Sequence, residues 1–385
     1  MPTTERRAFL EMHGGAAHAN VTVIKENPLA WSVRWQMLAQ AKERIDATYF
    51  IVNDDVFGLA FLAHLYERAQ HGVQVRLLVD ARGTLPLTAS LRDAQLLAQL
   101  ASGGDVEVRL YNPILQEVAH SIVAASAVPV AAGTHEKIVA VDGKVAITGG
   151  RNIGAEYFLT HDEDPKAVED ADVLLEGDAA AIELARISAF PENADPVPPS
   201  STRDRHDLLM LVYAAMDAWL KGEVDAHTDD DTAILALESK ALDTLDHPPS
   251  PGVRDTLRSE LKQLVKAKSS WGTIPLVDLP AHAAEVRIIS CESRAEGVLD
   301  DDANDAMIRA LAAARRHIVL ETPYFLMTPR ILTALEHAGH RGVHIDVLTN
   351  SPLSTDNPES QALFIDSWPE REARIPTLRV FVDND

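Results

Sequence analysis

Apolar and polar positions along the chain fall into one pattern that occurs twice. Residues 44–50, Arg44-Ile45-Asp46-Ala47-Thr48-Tyr49-Phe50, and 72–80, Gly72-Val73-Gln74-Val75-Arg76-Leu77-Leu78-Val79-Asp80, read as short strands with a helical stretch between them. The succession returns as Ile318-Val319-Leu320-Glu321-Thr322-Pro323-Tyr324-Phe325, a helix, and Gly342-Val343-His344-Ile345-Asp346-Val347-Leu348-Thr349-Asn350. A strand, a helix and a strand predict a right-handed parallel crossover. A further strand is expected at 106–110 in the first copy and at 378–382 in the second. The class this predicts is α/β, in two similar halves.

The stretch between the copies reads differently. Residues 204–268 are helical and acidic, with Leu208 to Met216 the best candidate for a packed helix and Asp229-Asp230-Asp231 a solvated loop or helix start. An acidic triplet invites a metal reading, but no histidine or further carboxylate spacing defines a binding loop around it. The segment is expected to pack into a core, with a lid or lipid-facing insert as the alternative. Proline-rich breaks at 191–200 and at Pro248-Pro249-Ser250-Pro251 suggest boundaries. The expected division is 1–200 for the first half, 201–280 for a helical connector and 281–385 for an incomplete second half.

Composition adds bounds. The 385 residues carry 35 basic and 58 acidic side chains, a net charge of −23, with 46% hydrophobic residues. That length supports two or three domains with large cores. The charge disfavours nonspecific binding to a phosphate polymer, although Arg315-Arg316 offers a local basic patch. The single cysteine, Cys291, excludes an internal disulfide and a thiolate metal cluster. Residues 1–20 contain Arg6 and Arg7 but no long apolar run, so no signal peptide is expected. No stretch approaches the roughly 18 apolar residues of a membrane span. A cytoplasmic or peripheral membrane location is expected.

One stretch points to chemistry. His135-Glu136-Lys137 leads through Ile138-Val139-Ala140-Val141 to Asp142-Gly143, then Lys144-Val145-Ala146-Ile147-Thr148-Gly149-Gly150-Arg151-Asn152, a spacing of H-x-K-x4-D-x6-G-G-x-N. Asp142-Gly143 between apolar runs signals a two-residue hairpin turn. Pairing Val141 with Lys144 sets Lys137 opposite Thr148 and His135 opposite Gly150. His135 and Lys137 then share a face beside Thr148, because strand side chains alternate. Gly149 and Gly150 leave room for an oxyanion to approach backbone N–H groups. Asn152 adds a neutral donor. Each element alone is ordinary, but five further identities at these spacings around any of fifteen histidines have a chance expectation on the order of 10⁻⁵.

This motif resembles the signature of the phospholipase D superfamily. The segments Asp105 to Pro113, Gly149 to Phe158 and Glu321 to Phe325 are similar to the bacterial cardiolipin synthase-like branch. The resemblance implies two halves about a pseudo-twofold, each with a mostly parallel mixed sheet flanked by helices. It implies that His135 attacks phosphorus to give a phosphohistidine, that Lys137 and Asn152 hold non-bridging oxygens, and that Thr148, Gly149 and Gly150 lie at the substrate. Asp142, at the turn, is better read as supporting strand geometry. No cofactor or metal is implied. A phospholipid at a membrane surface would be the substrate, with a glycerol-type alcohol or water as acceptor; a nuclease is the alternative that the charge disfavours.

The family places two such motifs in one site, the second histidine protonating the leaving group and activating the acceptor. Here no other histidine is followed by lysine two positions on. The expectation is that the sequence is truncated relative to its relatives; the alternative is a second histidine supplied by another subunit of a homodimer. Loss of a general acid costs about 10²–10⁴ in rate, so very weak or absent activity is expected of an isolated monomer.

Remaining candidates have structural readings of equal or greater weight. Asp54, Asp55 and Asp80 stand at strand ends, where ligands of α/β sheets gather but where helix caps are also common. Tyr324 and Phe325 fit either a pocket or a core. His317, His337, His340 and His344 are expected at the surface or in packing.

Overall fold

The computed structural model describes residues 16–84, 91–111, 134–178, 194–268, 275–289, 302–355 and 358–383. Cys291, Arg6, Arg7, Asn112 and Pro113 lie outside them. The described chain divides into a larger unit, running from Ala17 to Ile288, and a smaller one containing the described residues from Asp302 onward.

The larger unit holds strands β1 (Ala16–Ile24), β2 (Arg44–Tyr49), β3 (Gln74–Asp80), β4 (Val106–Tyr111), β5 (Lys137–Val141), β6 (Val145–Gly149), β7 (Asp172–Gly177), β8 (Ala194–Pro196) and β9 (His282–Arg287). Its helices are α1 (Asn27–Ala39), α2 (Val56–Gln70), α3 (Leu91–Ala101), the single turn α4 (Ala155–Phe158), α5 (Arg203–Leu220), α6 (Asp230–Leu242) and α7 (Pro251–Leu264). One sheet takes all nine strands in the order β8-β4-β3-β2-β5-β6-β7-β1-β9.

The crossover expected from the first repeat is present, with β2, β3 and β4 parallel. Strands β2 and β3 are buried at nearly every position, the polar Asp46, Thr48 and Asp80 included, as a sheet covered on both faces requires. The balance of the sheet differs from the expected mostly parallel one. The tight turn after Val141 returns the chain beside itself, so β5, β6, β7 and β1 form antiparallel pairs, as does β8 on β4.

Helix α2 is buried along almost its whole length, the mark of a core helix rather than a surface one. Its N-terminus is capped by Asp55, whose carboxylate accepts the N–H groups of Phe57 and Gly58. Trp31 of α1 packs against Phe57 and Phe158 at 5.2 and 4.9 Å between ring centroids. The helix expected around 208–216 is α5, and its apolar face joins this same core. Trp35 donates its indole N–H to Asp217 on α5 and stacks on Tyr213. Asp229 caps the start of α6 through the N–H of Thr232, and Ser250-Pro251 starts α7, so the second proline break is a helix N-terminus.

The smaller unit repeats the plan: α8 (Asp302–Ala313), β10 (His317–Glu321), α9 (Pro329–His340), β11 (His344–Asn350), α10 (Pro358–Arg374) and β12 (Leu378–Asp383). Its three strands are parallel in the order β10-β11-β12. The repeat extends to the turns. Gly72 and Gly342 close α2 and α9 at the same φ of 84°, and the next residue, Val73 or Val343, donates back to Arg68 or Ala338 at 3.1 Å. Phe325 is fully buried in the small core, which settles its structural reading. His317 is exposed and lies 2.8 Å from a carboxylate oxygen of Asp346.

Candidate active site

The hairpin is built by its turn. Asp142 and Gly143 both take positive φ, 53° and 62°, and Lys144 donates to the carbonyl of Val141 at 3.0 Å. Beyond the turn, however, Val141 pairs with Val145, Val139 with Ile147 and Ile138 with Thr148. This is one residue out of the expected register, and such a slip exchanges faces. Thr148 therefore shares a face with Ile138, in the small cluster of Ile138, Ala140 and Ala146. It does not stand beside Lys137, and the register that placed it there is corrected.

The turn is also tied to the start of β2. The Asp142 carboxylate accepts the N–H groups of Lys42, Glu43 and Arg44 at 3.0, 2.9 and 2.8 Å, and its own N–H donates to the Arg44 carbonyl. These bonds draw the turn onto the start of β2. Burial raises the Asp142 pKa, but the three N–H groups outweigh it and leave the carboxyl below its ordinary value. Asp142 holds the hairpin and stands at its far end from His135.

At the near end, β5 runs antiparallel to β2, so its first residues lie beside the C-terminal ends of β2 and β3. That is where α/β sheets present ligand sites. The Lys137 ammonium lies 3.1 Å from Nδ1 of His135 and donates to the His135 carbonyl at 2.8 Å. The His135 ring rests on Phe50 at 4.8 Å between centroids, and the ammonium lies 5.5 Å from the same phenyl ring. Partial burial against Phe50, reinforced by the Lys137 charge, lowers the imidazole pKa, with Asp80 acting in the opposite sense. Burial also pushes Lys137 down to about 8, opposed by the negative charge of Asp170.

The result is a neutral imidazole against a cation that is easily reinforced by an anion. An ammonium only donates, so it occupies the lone pair of Nδ1. A phosphate oxygen that takes over the ammonium uncovers that lone pair.

The glycines serve a different end from the expected one. A Cβ on Gly150 would lie 2.0 Å from a carboxylate oxygen of Asp170, and one on Gly149 would lie 2.3 Å from that of Asp172. Gly150 donates its N–H to the Ala171 carbonyl at 3.2 Å. The pair thus admits the Asp170 carboxylate and the 171–172 segment, and the Gly150 N–H is taken up by the Ala171 carbonyl.

Asn152 is buried, with its side-chain oxygen accepting the Ile51 N–H at 3.0 Å and its amide donating to the Tyr157 hydroxyl at 2.9 Å. A side-chain amide has two N–H donors, and that bond uses one of them. Arg151 is fully buried and turns away from chemistry. It meets Asp172 at 3.1 Å, on the oxygen that Arg34 also binds at 2.9 Å, and it donates to the carbonyls of Ile24, Lys25 and Asp170. Asp55 is a helix cap whose other oxygen accepts the Ala155 N–H at 2.7 Å; burial pushes its pKa up to about 6.

Phe50, Asp170 and Tyr157 were not singled out from sequence. Phe50 closes an apolar repeat segment in sequence and reads there as one more strand residue, and Asp170 lies in an acidic run with no distinguishing spacing. Among the described residues no group of three or more His, Cys, Asp or Glu is placed to hold a metal.

Comparison with known proteins bears directly on this geometry. Residues 35–180 match the family described as the PLD-like domain of cardiolipin synthase. The chain carries a phospholipase D-like domain. It is 33% identical over 149 residues to cardiolipin synthase C of Escherichia coli strain K12, an alignment covering 38% of this chain and 30% of that protein. It is 30% identical over 150 residues to a cardiolipin synthase of Halalkalibacterium halodurans, covering 35% and 27%. The matched chain thus spans less than a third of these curated relatives. The crystal structure of a phosphatidylserine synthase of Haemophilus influenzae Rd KW20 matches with a TM-score of 0.56 at 12% identity, covering all of this chain and 78% of that one, which supports the shared phospholipase D-like fold.

Proposed function

We propose that this chain supplies the nucleophilic half of a phospholipid-processing phospholipase D-type site, with His135 as nucleophile. The observation that carries the reading is the Lys137 ammonium 3.1 Å from a neutral His135 imidazole at the strand ends. The imidazole lone pair attacks phosphorus, the P–N bond forms as the P–O bond to the departing alcohol breaks, and that alcohol takes a proton. An alcohol or water then attacks the phosphohistidine, losing its proton, and the imidazole leaves. Lys137, with the second N–H of Asn152, holds the non-bridging oxygens as charge builds on them.

With a glycerol-type acceptor this is phosphatidyl transfer of the cardiolipin synthase kind; with water it is phospholipase activity. Proton transfer to the leaving alcohol calls for a second acid. The 385 residues carry one His-x-Lys, so the reading assigns that acid to a further motif, in a longer form of this polypeptide or in a second copy of it. The lipid is met at a membrane surface; no described helix is long and apolar enough to cross one. Incubation with phosphatidylglycerol labelled in its headgroup, over a range of protein concentrations, tests both points. A product or phosphoprotein that His135→Ala abolishes supports the nucleophile, and activity rising with dimer concentration supports a shared site. Turnover that survives His135→Ala overturns the reading.

A further inference from the structure

We propose that Asp80 is a positioning residue for His135, holding the backbone that leads into the imidazole through the N–H of the residue before it. The inference rests on the reading of His135 as nucleophile.

Asp80 is the last residue of β3 and is fully buried. One carboxylate oxygen accepts the N–H groups of Arg82 and Gly83 at 2.9 and 3.0 Å, closing a turn of its own loop. The other reaches 54 residues along the chain and accepts the N–H of Thr134 at 2.9 Å. Thr134 directly precedes His135, so the bond fixes where β5 begins relative to β3. A shift there moves the imidazole relative to Phe50 and Lys137.

The turn that Asp80 caps also backs the ring on which His135 lies. Gly83 approaches Phe50 so closely that a Cβ would meet the Phe50 carbonyl and ring at 2.1 and 2.9 Å, and Thr84 donates its hydroxyl to that carbonyl at 3.2 Å. One carboxylate therefore organises both the strand that carries the imidazole and the loop behind its aromatic support. The charges acting on His135 are Lys137, which disfavours imidazolium, and Asp80, which favours it; Lys137 is itself balanced by Asp170.

The smaller unit supplies a comparison. Asn350 ends β11 as Asp80 ends β3, paired with Asp383 of β12 where Asp80 pairs with Tyr111 of β4. Its neutral amide donates to the Ser354 carbonyl in its own loop, at 3.4 Å. The charged side chain stands in the unit that carries the nucleophile.

Asp80→Asn removes the charge with little change in shape. The test is an NMR titration of the His135 ring, assigned by its loss in His135→Ala. Without the opposing negative charge, His135 is expected to titrate lower by about half a unit to one unit. Asp80→Glu restores the charge and should return the titration towards the native value, while its extra methylene displaces Thr134 and slows labelling of His135. Identical titration in the native protein and Asp80→Asn overturns the proposal. Should Asp80→Asn not fold, amide exchange in the native protein decides. Protection of the Thr134 N–H to the level of β3 supports the tether, and exchange at the rate of an open loop overturns it. Absence of a His135 adduct in every form would sink the nucleophile reading and leave the titration result intact.

Discussion

The two units build the same three parallel strands with the same helix-closing glycines, yet only one carries the hairpin with the candidate nucleophile. In the larger unit the outer edge of β2 receives β5, and β6, β7 and β1 follow as a meander. In the smaller unit, among the described residues, β10 has no strand on its outer edge. Val319 and Phe381 on its three strands are 68% and 51% exposed. The β-α-β-α-β scaffold is therefore a platform, and in the larger unit the candidate nucleophile is brought to its strand ends by an antiparallel addition.

The sharpest way to break the contrast is at Asp172, where Arg34 and Arg151 share one carboxylate oxygen in a buried site. Asp172→Ala leaves two buried cations without their partner and should cost the larger unit about 3–5 kcal/mol in chemical denaturation, with the smaller unit's transition unmoved. Gly150→Ala drives a Cβ into the Asp170 carboxylate. Overpacking of this kind costs about 1–3 kcal/mol, and the displaced Asp170 should also alter the titration of Lys137, read by NMR.

Gly72→Ala and Gly342→Ala offer a matched pair. Both positions have φ of 84° with no atom within 4 Å of where the added methyl would stand, so each should lose about 1 kcal/mol for the left-handed backbone alone. Unequal losses would show that the two copies differ at their turns.

The smallest effect is the pH dependence of anion binding by Lys137. Its pKa is depressed to about 8 from 10.5, so the folded protein gives up this proton more readily than the unfolded chain. The stability penalty is present below pH 8 and is relieved as pH rises from there towards 10.5. Anion affinity should run the other way. Vanadate binding followed by calorimetry should weaken as pH rises through about 8, and the dependence should vanish in Lys137→Met. A binding curve flat across that range would remove Lys137 from the oxyanion role.

The parallel crossovers were legible in sequence because strand and helix periods are local, and His135, Lys137 and the Asp142 turn were legible as identities at fixed spacing. The register was not. Asp142-Gly143 marks a turn, but whether Val141 pairs with Lys144 or with Val145 is not written in those two residues, and that choice decides which face Thr148 takes. The glycine pair could be read as space, but not as space that the Asp170 carboxylate and the 171–172 segment approach. The Arg34, Asp172 and Arg151 cluster was illegible for the same reason, since its members are brought together only by the finished sheet.

The clasp between Asp142 and Arg44 joins residues 98 apart in sequence. Closing a flexible loop of that length costs about 4 kcal/mol of chain entropy beyond a constant, and a contact so non-local is slow to form. The hairpin can zip on its own, but it docks on β2 only after that closure. A partly folded chain would thus hold an intact hairpin whose histidine has neither Phe50 nor the end of β3 beside it, and chemical competence would arrive late in folding, with the last long-range contacts.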